Sequence, residues 1–245
     1  MTPPESVNPH AGHRDRLRQR FKCNGFDGML DYEVLELVLT MLIPQRDVKP
    51  LAKHLLTQYG SLADVLDAPP EQLRQVPGLG EVSVTNLKVI RALHTYYLAQ
   101  KCRQAGDLLD QPKLAAAFAR AKIGVRKYES YMVIYLDAQQ RMIDFEELAE
   151  GTVDRVYFYA RNAVEAALRR HAVNLIMVHN HPTGVCRPSP DDVVATRTLL
   201  WALTAVQIKL TDHLIVSREN YFSFAERGLL RPLEEELKKK MEEES

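Results

Sequence analysis

Apolar residues along this chain follow two rhythms, and the change between them divides it. From Asp31 to Leu98 they recur at helical spacing in short pieces: Val34, Leu37, Val38 and Met41, then Leu51, Leu55 and Leu56, then Leu62, Val65 and Leu66. Pro44, Pro50, Pro69, Pro70 and Pro77 interrupt these pieces. A ring that fixes φ and removes an N–H ends helices, so the pattern predicts several short helices packed together. Past a polar stretch at 104–112 the rhythm changes. Tyr131–Leu136 is a continuous apolar run of strand length, rich in aromatic and β-branched residues, and Asp137–Gln140 reads as the turn to a partner strand over Arg141–Leu148. Arg161–Arg170 has helical periodicity, Val173–Val178 reads as a buried strand, Asp191–Val206 as a second helix, and Ile208–Val216 and Tyr221–Phe224 as further strands. That succession predicts an α/β domain, a mixed sheet with flanking helices. The expected organisation is an all-α domain over 1–103, a linker over 104–112, the α/β domain over 113–230 and a charged helix over 231–245. In Leu233–Glu244 the pairs Glu234/Lys238, Glu235/Lys239 and Glu236/Lys240 stand four apart with Glu first, the favourable order, which predicts a solvated, fraying helix.

Composition narrows the function classes. Over 245 residues, 32 Lys+Arg balance 32 Asp+Glu, which excludes a global basic field for nucleic acid but not a local patch. Cys23, Cys102 and Cys186 are too few and too odd in number for a disulfide framework, and point to a reducing compartment, the cytoplasm. No apolar run approaches the roughly 18–20 residues of a membrane span. The opening MTPPESVNPH has neither the basic nor the apolar region of a signal peptide. Nothing in the pattern speaks to oligomeric state.

Candidate chemistry concentrates in one segment, His179-Asn-His181 through Ser189-Pro-Asp-Asp192. His-x-His at the end of a strand puts both imidazoles on one face, because side chains alternate with period two. Pro182 and Gly184 then turn the chain, and Ser189-Pro190 opens a helix. Two imidazoles and a carboxylate suit a catalytic zinc with a fourth position left for water. The same Ser-x-x-Asp is also a helix-capping arrangement that needs no metal. Asp212-His213, ahead of an apolar stretch, reads either as a pair orienting a ligand or as a satisfied structural pair.

In the first half, Leu73 to Leu87 resembles a helix–hairpin–helix, placed at about 73–90, with Gly78 and Gly80 in its turn. Free backbone N–H groups there suit a DNA phosphate, and Arg14, Arg16, Arg18, Arg20 and Lys22 can add phosphate contacts. Glu81, Asp64, Asp67 and Glu71 nearby keep this half close to neutral, and a glycine turn that only packs helices fits equally well.

His-x-His, seven residues, then Ser-x-x-Asp is similar to the JAMM (MPN-type) metalloprotease motif, and within that superfamily the chain resembles the bacterial RadC family. The resemblance rests on Glu150-Gly-Thr152, Arg161, Val178 to Pro182, Gly184, Pro188-Ser189, Asp192 and Asp212-His213, and in the first half on Gly12-His13-Arg14, Leu17, Asp31 to Leu37 and Lys49 to Lys53. It implies a JAMM/cytidine-deaminase-like α/β domain and one zinc per chain, held by His179, His181 and Asp192. It further implies that Ser189 stabilises an oxyanion and that an upstream glutamate is the general base in cleavage of a peptide or isopeptide bond. By resemblance that glutamate is Glu129. Spacing alone leaves Glu146 and Glu147 equally open, since a hairpin turn at 137–140 puts Glu129 opposite about position 148. Tyr159-Ala-Arg-Asn162 and Val185-Cys-Arg187 depart from the family pattern, and Cys186 is chemically able to ligate zinc. The competing expectation is a DNA-associated accessory protein with a structural or vestigial metal site, in line with the DNA-repair association of the family's traditional name.

Overall fold

The computed structural model describes residues 12–108, 110–150 and 159–243. Leu109, Gly151, Thr152 and Glu244 lie outside these. The chain forms two compact units, Met1–Leu93 and His94–Ser245.

The first unit is helical: α1 (His13–Asn24), α2 (Asp31–Leu42), α3 (Lys49–Tyr59), α4 (Leu62–Asp67), α5 (Pro70–Arg74) and the first turns of α6 (Glu81–Gln104). The prolines act as the pattern predicts, with Pro50 and Pro70 in the opening turns of α3 and α5, where their missing N–H costs nothing. Leu35, Leu39, Ala52, Leu55, Val65, Leu73 and Leu87 form the core. Helical residues continue past the division between the units, since α6 runs unbroken from Glu81 to Gln104.

The second unit holds a five-stranded sheet of β1 (Ser130–Leu136), β2 (Met142–Glu150), β3 (Asn174–Asn180), β4 (Lys209–Val216) and β5 (Tyr221–Ser223), in the order β2-β1-β3-β4-β5. Only β3 and β4 are parallel. Joining parallel neighbours requires a crossover, and α9 (Pro190–Thr204) supplies it. One face of the sheet packs Tyr131, Val133, Leu175, Met177 and Ile215 against α8 (Ala160–Arg169), α9 and α10 (Leu230–Glu243). The other packs Met132, Ile134, Ile176, Val178 and Leu214 against α7 (Pro112–Ile123) and the last turns of α6. Covering on both faces explains why these strands read as continuous apolar runs rather than alternating ones.

Two expectations need correction. The C-terminal helix is not simply a solvated appendage: α10 begins at Leu230 and buries Leu230, Leu233 and Leu237 in the sheet-face core. Those positions recur at i, i+3 and i+7, a narrow apolar stripe hidden among the Glu and Lys residues. Nor does Glu129 face position 148. The β1–β2 register pairs Ser130 with Glu150 and Tyr131 with Ala149, and two bulges separate this from the simple hairpin count.

Among the described glycines, Gly124, just after α7, has the closest backbone neighbours. A Cβ there would lie 2.7 Å from the carbonyl oxygens of both Arg120 and Ser217. Gly124→Ala is therefore expected to cost about 1–3 kcal/mol by overpacking. The measurement is the urea midpoint, expected to fall at unchanged m-value; an unaltered midpoint would show that the α7–β1 connection yields freely.

Candidate metal centre

The parallel β3–β4 pair sets the place. Ligand sites in open α/β sheets lie beyond the carboxyl ends of the strands, where crossover helices begin. His179 is the penultimate residue of β3, and the ladder continues one step further, with His181 donating its N–H to the Val216 carbonyl at 2.9 Å. α9 starts directly after the loop that follows.

At this corner three side chains converge. His179 Nε2 lies 2.9 Å from His181 Nε2 and 2.9 Å from Asp192 Oδ1, and His181 Nε2 lies 3.4 Å from Asp192 Oδ2. Ligand atoms placed tetrahedrally at about 2.0–2.1 Å from a zinc stand about 3.3 Å apart. His179, His181 and Asp192 thus form a cluster able to hold a metal ion, with His179 and Asp192 buried and His181 half-buried.

The tautomer of His181 follows from its partner. Its Nδ1 lies 2.8 Å from the Val185 carbonyl, which can only accept, so Nδ1 carries the proton and Nε2 presents a lone pair to the cluster. Two such nitrogens 2.9 Å apart call for a cation or a shared proton between them. The donor set and its convergence fit a divalent metal.

Asp192 shows that capping and ligation are not alternatives. Ser189 is the N-cap of α9; its hydroxyl accepts from the Asp192 N–H at 3.1 Å and donates to Asp192 Oδ2 at 2.7 Å. The Ser189 N–H also reaches Oδ2 at 2.7 Å, completing a capping box and leaving Oδ1 turned toward His179. Burial alone would raise the Asp192 carboxyl; the adjoining His179 and His181 rings and the Ser189 backbone N–H hold it well below the usual range. The Asp192 contact, against the effect of burial, raises His181.

Asp212 and His213 divide between the two faces. His213 points into the site, with Nε2 2.8 Å from His179 Nδ1 and Nδ1 2.7 Å from the Thr196 hydroxyl. Burial, then the neighbouring His179, pushes His213 well below an ordinary histidine, which favours the neutral ring. Asp212 instead accepts from Ser223 Oγ at 2.6 Å and from the N–H groups of His213 and Ala225. The residues do not act as one pair: His213 abuts a cluster residue, and Asp212 ties β4 to β5.

Glu129 sits immediately ahead of β1 and is exposed. Because Tyr131 pairs with His179 across antiparallel strands, Glu129 comes level with His181. Its carboxylate is near enough to act on both His181 and Tyr131. Glu146 and Glu147 lie further along the hairpin, opposite Val133 and Met132. They are committed elsewhere, Glu146 to Arg170 at 3.0 Å and Glu147 to Lys122 at 3.1 Å and to Arg126. Cys186 packs half-buried against the apolar layer and is not part of the cluster found among the described residues; Arg187 is exposed on the same loop.

Three residues here escaped the sequence reading. Thr196 is one helical turn beyond Asp192, a spacing that puts both on one face of α9. Tyr131 stacks on His179, ring centroids 5.0 Å apart. Asn180, between the two histidines, faces the other way and holds the segment leading to Glu129: its Oδ1 accepts from Ser130 N at 2.8 Å and its Nδ2 donates to the Tyr128 carbonyl at 3.0 Å. The period-two alternation that separates Asn180 from its neighbours was the available signal.

In the first unit, Gly78 has φ +99°, open to glycine at little cost, and Gly80 accepts the first α6 bond from Val84 at 3.0 Å. Val76, Leu79 and Val84 around them are buried, so the turn does pack helices. Glu81 pairs with Arg74 at 2.6 Å. Within the basic run, Arg14 donates to the carbonyls of Ile43, Pro44 and Arg46, Arg18 pairs with Asp15 at 3.1 Å and Arg20 with Glu33 at 2.6 Å.

Fold and site together define a class: a JAB-type α/β domain with a His-x-His and Ser-x-x-Asp cluster at its strand ends. A family model described as a RadC-like JAB domain matches residues 109–229. The chain is 36% identical over 232 residues to a UPF0758 protein of Fusobacterium nucleatum, spanning 92% of this chain and 100% of that one. It is 39% identical over 218 residues to a UPF0758 protein of Ruegeria pomeroyi, spanning 89% and 97% of the two chains. Identity to a UPF0758 protein of Rhodobacter capsulatus is likewise 39%, over 219 residues, 87% of this chain and 100% of the relative. The chain belongs to the RadC family of UPF0758 proteins. Among the described residues no helix is long and apolar enough to cross a membrane.

Replacing Ser189 by Ala removes both hydroxyl contacts to Asp192. Loss of an N-cap costs about 0.5–2 kcal/mol, so Ser189→Ala should lower the thermal midpoint while Ser189→Thr largely restores it. Equal midpoints for Ala and Thr would show that the cap contributes nothing.

Proposed function

We propose that this protein is a metal-dependent hydrolase of peptide or isopeptide bonds, with zinc held by His179, His181 and Asp192. The observation that carries this reading is the convergence of two imidazole nitrogens and one carboxylate oxygen at a strand-end corner, with Glu129, just ahead of β1, level with His181. When bound, zinc supplies a Lewis acid that polarises a carbonyl and acidifies a water molecule. Glu129 takes the proton of the attacking water and returns it to the leaving amine. Ser189, at the mouth of the same corner, turns its hydroxyl from Asp192 toward the oxyanion of the tetrahedral intermediate. Tyr131 and the apolar layer behind His179 keep water from the buried side.

The test uses the zinc-reconstituted chain against a mixed peptide library and a fluorogenic peptide joined through a lysine ε-amide. Glu129→Gln should keep the metal and lose cleavage by about 10²–10⁴-fold, the usual contribution of a general base. Cleavage at the wild-type rate would remove Glu129 from the mechanism, and an inert zinc-loaded wild type would remove the hydrolase reading for these bonds.

A second reading concerns the first unit, as a DNA-phosphate binder. It is supported by Arg46, whose guanidinium stands 3.4 Å from where a Cβ on Gly78 would be, against the hairpin turn. Arg46→Ala should weaken duplex binding across sequences and reduce the salt slope by about one. Absence of salt-sensitive duplex binding in the wild type would leave the hairpin as packing alone.

A further inference from the structure

We infer that His213, backed by Thr196, is the positioning residue that selects which nitrogen of His179 faces the metal. The inference rests on the reading of His179, His181 and Asp192 as a metal site.

A chain of three hydrogen bonds carries it, and its direction is fixed at one end. Thr196 Oγ1 lies 2.6 Å from the Asp192 carbonyl oxygen. Two oxygens that close need a proton between them, and a carbonyl has none, so the threonine hydroxyl donates. Having given its only proton, the hydroxyl can only accept from His213 Nδ1, 2.7 Å away. The His213 ring is fully buried and stacked on Phe224, centroids 4.6 Å apart. With its one proton on Nδ1, its Nε2 is an acceptor. That nitrogen lies 2.8 Å from His179 Nδ1, which therefore donates. His179 is left with a bare Nε2, the atom 2.9 Å from both Asp192 Oδ1 and His181 Nε2.

The chain closes on itself: it starts at the backbone carbonyl of Asp192 and ends facing the carboxylate of the same residue. One turn of α9 thus sets both the carboxylate ligand and, through β4, the imidazole tautomer on β3. Metal-bound histidines generally hand their second N–H to a carboxylate, a carbonyl or water. Here an imidazole takes that place, and its own proton is held by the Thr196 hydroxyl, which is in turn anchored on a helix carbonyl.

Three substitutions separate positioning from space-filling. His213→Gln keeps an acceptor near the position of Nε2, His213→Met fills similar space without one, and Thr196→Val removes the anchoring hydroxyl. Zinc affinity is read by competition with a chromophoric chelator at fixed neutral pH, and the cobalt form by its visible absorption. His213→Met and Thr196→Val should weaken zinc binding by about 10–100-fold, the usual effect of losing such a partner, and alter the cobalt spectrum. His213→Gln should bind within a few-fold of wild type. Should His213→Met fail to fold, Thr196→Ser against Thr196→Val asks the same question, with Ser expected to bind and Val to bind weakly. Wild-type affinity in His213→Met or Thr196→Val, or equal losses in Gln and Met, would overturn the inference while leaving the metal site standing. A wild type that takes up no zinc would overturn both.

Discussion

A buried carboxylate has to be paired, and Asp192 is the buried carboxylate around which this corner of the protein is arranged. Only 5% exposed, it cannot rely on water. Its two oxygens do different work: Oδ2 closes the capping box with Ser189, and Oδ1 faces His179. The first pairing starts α9 at a defined residue, and the second ties that start to the end of β3. The crossover that the parallel strands require is thereby fixed at the point where the chemistry lies. His213 and Thr196 extend the same network into β4 and the next turn of the helix.

The opposite face of β3 completes the corner. Asn180 uses both ends of its amide on the residues flanking Glu129, Tyr128 and Ser130, so the strand that presents the two histidines also holds the start of β1. Alternation along three consecutive residues, His179, Asn180 and His181, serves two faces at once. This explains why a single residue between the histidines is needed and why its polar side chain is buried at 0% exposure.

Much of the second unit was legible because its strands are covered on both faces and announce themselves as unbroken apolar runs. The metal-ligand candidates were legible because their spacing combines a strand end, a turn and a helix cap. What was not legible depended on tertiary detail. Two bulges moved the β1–β2 register, so Glu146 and Glu147 stand away from Glu129 and are held by Arg170, Lys122 and Arg126. A third irregularity, in β3–β4 pairing between Leu175 and Ile176, precedes Asp212 and His213, whose side chains then serve opposite sides of the sheet. The stripe of Leu230, Leu233 and Leu237 was masked by a run of charges that suits solvent on three sides of α10 and core on the fourth. Thr196 carried no signal in isolation; it acquires a role only once Asp192 and His213 are placed.

The central claim is that His179, His181 and Asp192 form one metal site rather than a capped helix beside two histidines. Elemental analysis of the full chain, reconstituted with zinc and desalted, tests it alongside His179→Ala and Asp192→Asn checked for folding by circular dichroism. The account predicts a single zinc per wild-type chain and none in either folded variant. A metal-free wild type, or zinc retained by both variants, would contradict it.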